Sequence, residues 1–170
     1  DWPAPHYNEN FYESCDLIMN ISKQTVAIVN EVAKKKPRTD WDCTYIPHGI
    51  HEDYYKPVTN EKEITDMNAM RKQLTDDDIE FVVFYNNRNI RRKLPGDIIM
   101  AFKHFCDQLS KEDADKCCLL MHTQPRDENG TDLPVVAKTV APEYKVYFSD
   151  QKLSTQQLNC LYNMADVTIN

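Results

Sequence analysis

The sequence predicts an α/β fold in which helices flank a parallel β-sheet. Two short runs are apolar at every position, residues 81–84 (FVVF) and residues 117–121 (CCLLM), and such runs are typical of strands buried on both faces of a sheet. Between them, apolar residues recur at helical spacing from Ile98 to Leu109, which predicts an amphipathic helix. Strands that alternate with helices in this way indicate parallel strands joined by crossover helices.

The first part of the chain contains a short apolar run, and it predicts one helix followed by a short strand. Residues 15–20 (CDLIMN) form the apolar run, and Ser22 is a suitable N-cap for a helix that would end at the basic residues 34–37. Residues 44–46 predict a short strand. Residues 47–60 are rich in proline, glycine and polar side chains, as in a linker.

The rest of the chain continues the alternation. The further predicted elements are a helix with a modest apolar stripe at 64–74, a polar loop at 123–134, a short helix at 133–140, a strand at 145–148, a helix at 158–165 and a final strand at 166–169. Ser154 and Gln157 form a capping-box pattern in front of the last helix. A final strand that no helix covers is what we expect of an incomplete domain.

Composition limits the classes of function. The chain of 170 residues is long enough for one domain, or for one domain and a fragment of another. It has 20 basic and 27 acidic side chains, a balance that argues against nucleic acid as the main partner. No apolar run could span a membrane, and no secretory signal is visible, so we expect a cytoplasmic protein. The chain lacks an initiator methionine, and we expect it to begin within a longer protein.

The sequence does not predict a metal site. The six cysteines form no CxxC pair, and they are expected to be small buried residues in a reducing compartment. Three consecutive acids, Asp76 to Asp78, resemble a metal-binding motif. They lie in the turn before a strand, at the opposite end of the sheet from a ligand, so we expect them to be solvated turn residues.

The strongest candidate site is a basic loop at residues 84–97 (FYNNRNIRRKLPGD), which has four basic residues before its first acid, Asp97. It follows a buried strand and leads into a helix that begins near Pro95, and ligands of parallel sheets bind at such places. Arg88 could hold a phosphate with two hydrogen bonds while Lys93 adds a mobile charge, and diphosphate suits such a pair. A solvated basic loop explains the pattern about equally well. Glycine-rich phosphate-binding motifs are absent, which argues against a Rossmann dehydrogenase or a P-loop enzyme.

Four further residues are candidates for a cleft or hinge. His122 ends the second buried strand at its carboxyl edge and could line a cleft there. Asn87 directly precedes Arg88 in the basic loop. His48 and Gly49 lie in the linker, where a structural or interdomain role is favoured over catalysis.

Three segments, in order, resemble the group 1 glycosyltransferases of the GT-B fold, which use nucleotide-sugar donors. They are IPHGIHEDYYKP (46–57), FVVFYNNRNIRRKLPGDIIMAF (81–102) and LNCLYNMADVTIN (158–170). The resemblance implies a Rossmann-like parallel sheet and three parts of the chain. Residues 1–45 would end the N-terminal acceptor domain, residues 46–60 would form the interdomain linker, and residues 61–170 would form the first half of the donor-binding domain.

The resemblance also implies an activity and roles for single residues. Arg88 stands where the family has its donor-phosphate arginine, and Lys93 best matches the phosphate-binding lysine, with Arg92 as an alternative. Both would neutralise the diphosphate leaving group as its charge develops. The implied reaction is transfer of a sugar from a nucleotide-diphosphate donor to an acceptor that the sequence does not identify, with retention, without a metal and with no cofactor besides the donor substrate.

The chain departs from the family pattern in several places. Asn87 replaces the glycine before the arginine, Leu94 and Pro95 intrude after Lys93, and His48 replaces the asparagine of the linker. The glycine-rich loop and Glu-x7-Glu motif that follow in the family are not in this sequence, so we expect this chain alone to be inactive. The alternative is a non-enzymatic α/β module that binds a phosphorylated ligand or a protein partner through residues 88–93. A receiver-like or flavodoxin-like regulatory domain is less favoured, because the acidic cluster of a phosphoacceptor site is missing.

Overall fold

The computed structural model describes residues 8–33 and 42–170, so the predicted helix stop at residues 34–37 lies outside the described residues. The chain divides into two compact units, Asp1–His51 and Glu52–Asn170. Within the described ranges, no helix has both the length and the apolar character needed to cross a membrane.

The described residues of the first unit, 8–33 and 42–51, contain two parallel strands and two helices. Its elements are α1 (Glu9–Glu13), β1 (Leu17–Asn20), α2 (Lys23–Ala33) and β2 (Asp42–Tyr45). The strands pair in parallel from Leu17 opposite Asp42 onwards. The predicted N-cap is confirmed, because the Thr25 backbone N–H donates to the hydroxyl of Ser22 at 3.1 Å. The helix α1 was not predicted, since five residues are too few to show a helical period.

The second unit is built on a four-stranded, fully parallel sheet with the strand order β5-β4-β3-β6. Its elements are α3 (Glu61–Leu74), β3 (Phe81–Asn86), α4 (Pro95–Cys106), α5 (Lys111–Asp115), β4 (Cys117–His122), α6 (Leu133–Val140), β5 (Lys145–Ser149), α7 (Thr155–Met164) and β6 (Val167–Ile169). The α/β fold with a parallel sheet is therefore confirmed. The predicted helix over 98–109 ends earlier, at Cys106, and Leu109 packs against the core from the following turn.

The two central strands bury both of their faces, which explains their uninterrupted apolar sequences. Tyr85 and Leu119 belong to a core that packs against α4 and α6, whereas Phe84 and Leu120 belong to a second core that packs against α3 and α7. Neighbouring residues of a strand point to opposite faces, so a strand between two helical layers needs an apolar residue at every position.

The order in which strands are added to the sheet reverses after β5. From β3 it proceeds to β4 and β5, and then returns to place β6 on the other side of β3. Asp166 joins this edge, because its carboxylate accepts a hydrogen bond from the Val82 N–H at 2.8 Å and its own N–H donates to the Val82 carbonyl at 3.0 Å. Helix α7, which leads to β6, begins with both bonds of the predicted capping box at Ser154 and Gln157. In such sheets, ligands bind beyond the carboxyl ends of the strands, near the reversal.

The acidic turn before β3 is exposed, as the sequence predicts, and two of its carboxylates also bind side chains of β5. The Lys145 ammonium donates to both oxygens of Asp78 at 2.9 and 2.8 Å, and the Tyr147 hydroxyl donates to Asp76 at 2.6 Å. The hydrogen bond from Lys145 lowers the pKa of Asp78. Lys145 begins β5, so these contacts lie at the amino end of the sheet, away from the carboxyl ends.

Candidate functional site

A cavity of about 430 Å³ lies at the carboxyl ends of β3, β4 and β5. Its lining comes from the last residues of these strands and from the loops that follow them: Asn86, Asn87, Arg88, His122, Thr123, Gln124, Asp127, Ser149, Asp150 and Gln151. Its walls are mostly polar. The cavity therefore occupies the position in which parallel α/β sheets bind their ligands.

Arg88 contributes the positive charge of this cavity, and it is paired with Asp127. Its Nε donates to Oδ2 of Asp127 at 3.0 Å and its Nη2 to Oδ1 at 3.5 Å. The Arg88 side chain is 64% exposed, whereas that of Asp127 is 6% exposed, so the guanidinium covers the carboxylate. Each group favours the charged form of the other, which raises the pKa of Arg88 and lowers the pKa of Asp127. The sequence predicted Arg88 as a site residue but gave no sign of this partner.

Asn89 fixes the loop after β4 against the loop after β3. This asparagine is fully buried, and its Nδ2 donates to the carbonyls of Gln124 at 3.1 Å and Pro125 at 3.3 Å. Nearby, the Arg91 N–H donates to the Asn129 carbonyl at 3.2 Å. The sequence does not single out Asn89, because an asparagine in a polar loop has the same pattern as any turn residue.

His122 lines the cavity, and its ring contacts the next strand. Its Nδ1 and the Ser149 hydroxyl are 3.0 Å apart. Partial burial lowers the pKa of His122, so the imidazole is neutral at pH 7. The neighbouring Thr123 is largely buried, and its hydroxyl has no hydrogen-bond partner among the described residues. His122 and Ser149 are thus positioned to bind a ligand as neutral hydrogen-bonding groups.

Lys93 and Arg92 lie on a short 3₁₀ turn, Arg91–Lys93, and neither lines the cavity. In the described part of the chain, no ion pair is recorded for either side chain. The turn ends at Leu94, which has left-handed backbone angles of φ 47° and ψ 47°. Helix α4 follows directly, and no side chain caps its first turn.

Asn87 bridges the point where the sheet reverses. Its Nδ2 donates to the side-chain oxygen of Asn170, just after β6, at 3.1 Å. The preceding Asn86 donates from its Nδ2 to the Tyr162 hydroxyl at 2.8 Å. The asparagine that replaces the glycine of the family pattern therefore joins the ends of β3 and β6 while also lining the cavity.

The two linker candidates, His48 and Gly49, lie in an exposed stretch of the first unit. A Cβ added to Gly49 would meet no atom within 4 Å, so the local packing does not require glycine there.

The described residues contain no group of three or more histidine, cysteine or acidic side chains arranged to hold a metal ion. None of the six cysteines, all of which lie within the described residues, forms a disulfide bond. Burial raises the pKa of Cys118 to about 12, so this thiol remains protonated.

Comparison with known proteins supports the fold. No protein-family model matches the sequence, and no curated protein matches it significantly. Among solved structures, the chain is similar to trehalose-6-phosphate synthase from E. coli bound with UDP-2-fluoro glucose, with a TM-score of 0.64 and 13% identity. The alignment covers 98% of this chain and 42% of that chain. The expected Rossmann-like, GT-B-type fold is thereby confirmed, and the chain spans less than half of the protein that it resembles.

Proposed function

We propose that this chain is the donor-binding part of a glycosyltransferase that transfers a sugar from a nucleotide-diphosphate donor to an acceptor. One observation carries the proposal: Arg88 lines a polar cavity at the carboxyl ends of a parallel sheet, within a fold shared with a structure that holds UDP-2-fluoro glucose. The cavity is open and polar, which suits a charged, hydrated ligand better than an apolar one.

Arg88 is proposed to bind the donor diphosphate. When the sugar C1–O bond breaks, negative charge develops on the leaving diphosphate, and a positioned guanidinium stabilises that charge. Lys93, or Arg92 in its place, would add a second charge from the 3₁₀ turn. The neutral His122 and Ser149 would contact an uncharged part of the donor.

The finer features of the reaction are proposed from the family resemblance. They are retention at the sugar carbon, independence of metal ions and the absence of a cofactor besides the donor. The acceptor and the groups that bind it are assigned to other parts of the transferase, so we expect no transfer by this chain alone. A cytoplasmic location is proposed, because none of the six cysteines forms a disulfide bond.

Titration of the chain with UDP, GDP and ADP, followed by amide NMR, tests this proposal. Binding should shift the signals of residues 86–94, 122–127 and 149–151, and Arg88→Ala should weaken the best nucleotide by about tenfold or more, as for loss of a charge-assisted contact. Arg126→Ala is the matched control, because Arg126 is also exposed and paired with an aspartate but does not line the cavity.

The results of this titration also distinguish the donor-binding proposal from the alternative function. If no nucleotide and no inorganic phosphate shifts these signals, the donor-site proposal is wrong. If a phosphorylated ligand or a protein partner binds through the basic loop at residues 88–93 while nucleotides do not, the chain is a non-enzymatic binding module. Equal weakening by Arg88→Ala and Arg126→Ala would indicate attraction by overall charge rather than a site.

A further inference from the structure

We infer that Asp127 is a positioning residue, which holds the Arg88 guanidinium in the orientation that binds the donor diphosphate. This inference rests on the proposed function, because it assigns a role toward the same ligand. It adds a residue from the loop after β4, which neither the basic-loop pattern nor the family resemblance indicated.

The geometry of the pair indicates that the Asp127 carboxylate holds the Arg88 guanidinium in place. Asp127 is almost completely covered, whereas Arg88 remains largely exposed above it. The contacts at 3.0 and 3.5 Å use Nε and Nη2, so they occupy one edge of the planar guanidinium. Its other N–H groups stay available, and a bidentate carboxylate pair leaves a guanidinium free to bind a second anion through them.

Asp127 is itself held by the backbone rather than by Arg88 alone. Its Oδ1 accepts a hydrogen bond from the Asn129 N–H at 2.9 Å. Gly130 packs directly on Asn89, and a Cβ added there would collide with the carbonyl oxygen and carboxamide of Asn89. The loop is therefore fixed to the loop that carries Arg88, and the carboxylate lies at a defined place before any ligand arrives.

Asp127 has two opposite effects on the affinity for a phosphate ligand: its charge lowers the affinity, and its positioning of Arg88 raises it. A carboxylate near the site repels an anion, but this one is neutralised by the guanidinium that covers it. An exposed arginine without a partner samples many rotamers, and ordering such a side chain on binding costs about three- to tenfold in affinity. We therefore expect the loss of Asp127 to weaken binding, although it removes a negative charge.

Asp127→Asn tests this inference, because it removes the charge and the paired geometry while keeping the side-chain shape. Asp132→Asn is the matched control: Asp132 lies on the same segment and pairs with Arg126 at 2.6 Å, it is not part of the cavity lining, and asparagine remains a good N-cap for α6. UDP affinity is measured by calorimetry, and the thermal midpoint of each variant by differential scanning calorimetry.

Asp127→Asn should weaken UDP binding by about three- to tenfold, whereas Asp132→Asn should leave it unchanged. In an Arg88→Ala background, Asp127→Asn should have no further effect, since a positioning residue acts through the group that it positions. A merely structural role would instead lower the thermal midpoint and reduce binding equally in both backgrounds.

Either of two results would overturn this inference without affecting the proposed function. One is that Asp127→Asn binds UDP as tightly as the unmodified chain, or more tightly. The other is that the effects of Asp127→Asn and Arg88→Ala on UDP affinity simply add. Failure of the unmodified chain to bind UDP, GDP, ADP or phosphate is a different result. It would overturn the proposed function, and this inference with it.

Discussion

Asn89 and Thr131 exchange two hydrogen bonds although 42 residues separate them in the chain. The Asn89 Nδ2 donates to the Thr131 carbonyl at 2.7 Å, and its Oδ1 accepts from the Thr131 N–H at 3.2 Å. Asn89 follows β3 and Thr131 lies just before α6, so one buried carboxamide joins the two loops that carry Arg88 and Asp127. The shape of the cavity thus depends on a residue that does not line it.

Asn89→Ala is expected to destabilise the protein by about 2–4 kcal/mol, because it removes a fully buried carboxamide and leaves the carbonyls of Gln124 and Thr131 without the Asn89 donor. Urea denaturation followed by circular dichroism measures the change in the free energy of unfolding. Asn87→Ala is the control in the same loop, since the contact of Asn87 with Asn170 is exposed, and it should cost less than about 0.5 kcal/mol. Equal losses in both variants would contradict a central role for Asn89.

Gly130 is expected to tolerate no side chain. A Cβ at this position would collide with the carbonyl oxygen of Asn89 as well as its carboxamide, and a backbone oxygen cannot move aside without shifting the loop. Gly130→Ala should therefore lower the free energy of unfolding by about 2 kcal/mol or more. It should also weaken nucleotide binding, because the loop that holds Asp127 is displaced.

Gly49→Ala provides the comparison for that experiment. An added Cβ has open space there, and alanine restricts the unfolded chain, so stability should stay equal or rise by up to about 1 kcal/mol. If thermal melts show the same loss for both glycine substitutions, the close approach between Gly130 and Asn89 does not limit this position.

The sequence predicted the central strands and helices well because burial leaves a regular pattern. The predicted bounds of β4, α4 and α6 lie close to the observed ones. The capping box was predicted from the identities of two residues, Ser154 and Gln157. In contrast, α1 and α5 have five residues each, which is little more than one turn. Such helices depend on their caps and neighbours rather than on a period.

The candidate site was predictable only in part. Charge and position after a strand identified Arg88, and the end of a buried strand identified His122, and both line the cavity. The partner of Arg88 could not be found, because Asp127 lies 39 residues away in a loop with several acids. Pairings between loops are set by the register of the sheet and by contacts such as those of Asn89, and a single sequence does not record them.

Leu94 is expected to be a strained residue next to the proposed phosphate site. Its φ of 47° is unfavourable for side chains with a Cβ by about 1–2 kcal/mol, whereas glycine accepts it freely. Leu94 is also 56% exposed, so little packing is lost on truncation. Leu94→Gly should therefore raise the free energy of unfolding by about 0.5–1 kcal/mol, after allowing for the greater flexibility of unfolded glycine.

A series of substitutions at position 94 tests whether the backbone angle causes the strain. Chemical denaturation should rank glycine first, then asparagine, then leucine, and valine last, because a β-branched side chain fits left-handed angles worst. If valine were as stable as leucine, the backbone angle would not be the origin of the strain.

Replacement of Tyr85 by phenylalanine is expected to stabilise the protein. Its side chain is fully buried in the core beside α4 and α6, and its hydroxyl has no hydrogen-bond partner within residues 8–33 and 42–170. This burial raises the pKa of Tyr85, as expected for a hydroxyl without compensation. Tyr85→Phe removes the uncompensated group and keeps the ring, so it should raise the free energy of unfolding by about 1 kcal/mol.

Tyr147→Phe makes the same chemical change where the hydroxyl has a partner. There the hydroxyl donates to Asp76 at 2.6 Å, so its loss should lower stability by about 1 kcal/mol. The two variants are compared by urea denaturation at one pH. Opposite signs would show that the hydroxyl partner decides the effect, because the ring is kept in both. A loss of stability in Tyr85→Phe would instead mean that the buried hydroxyl has a partner within the core.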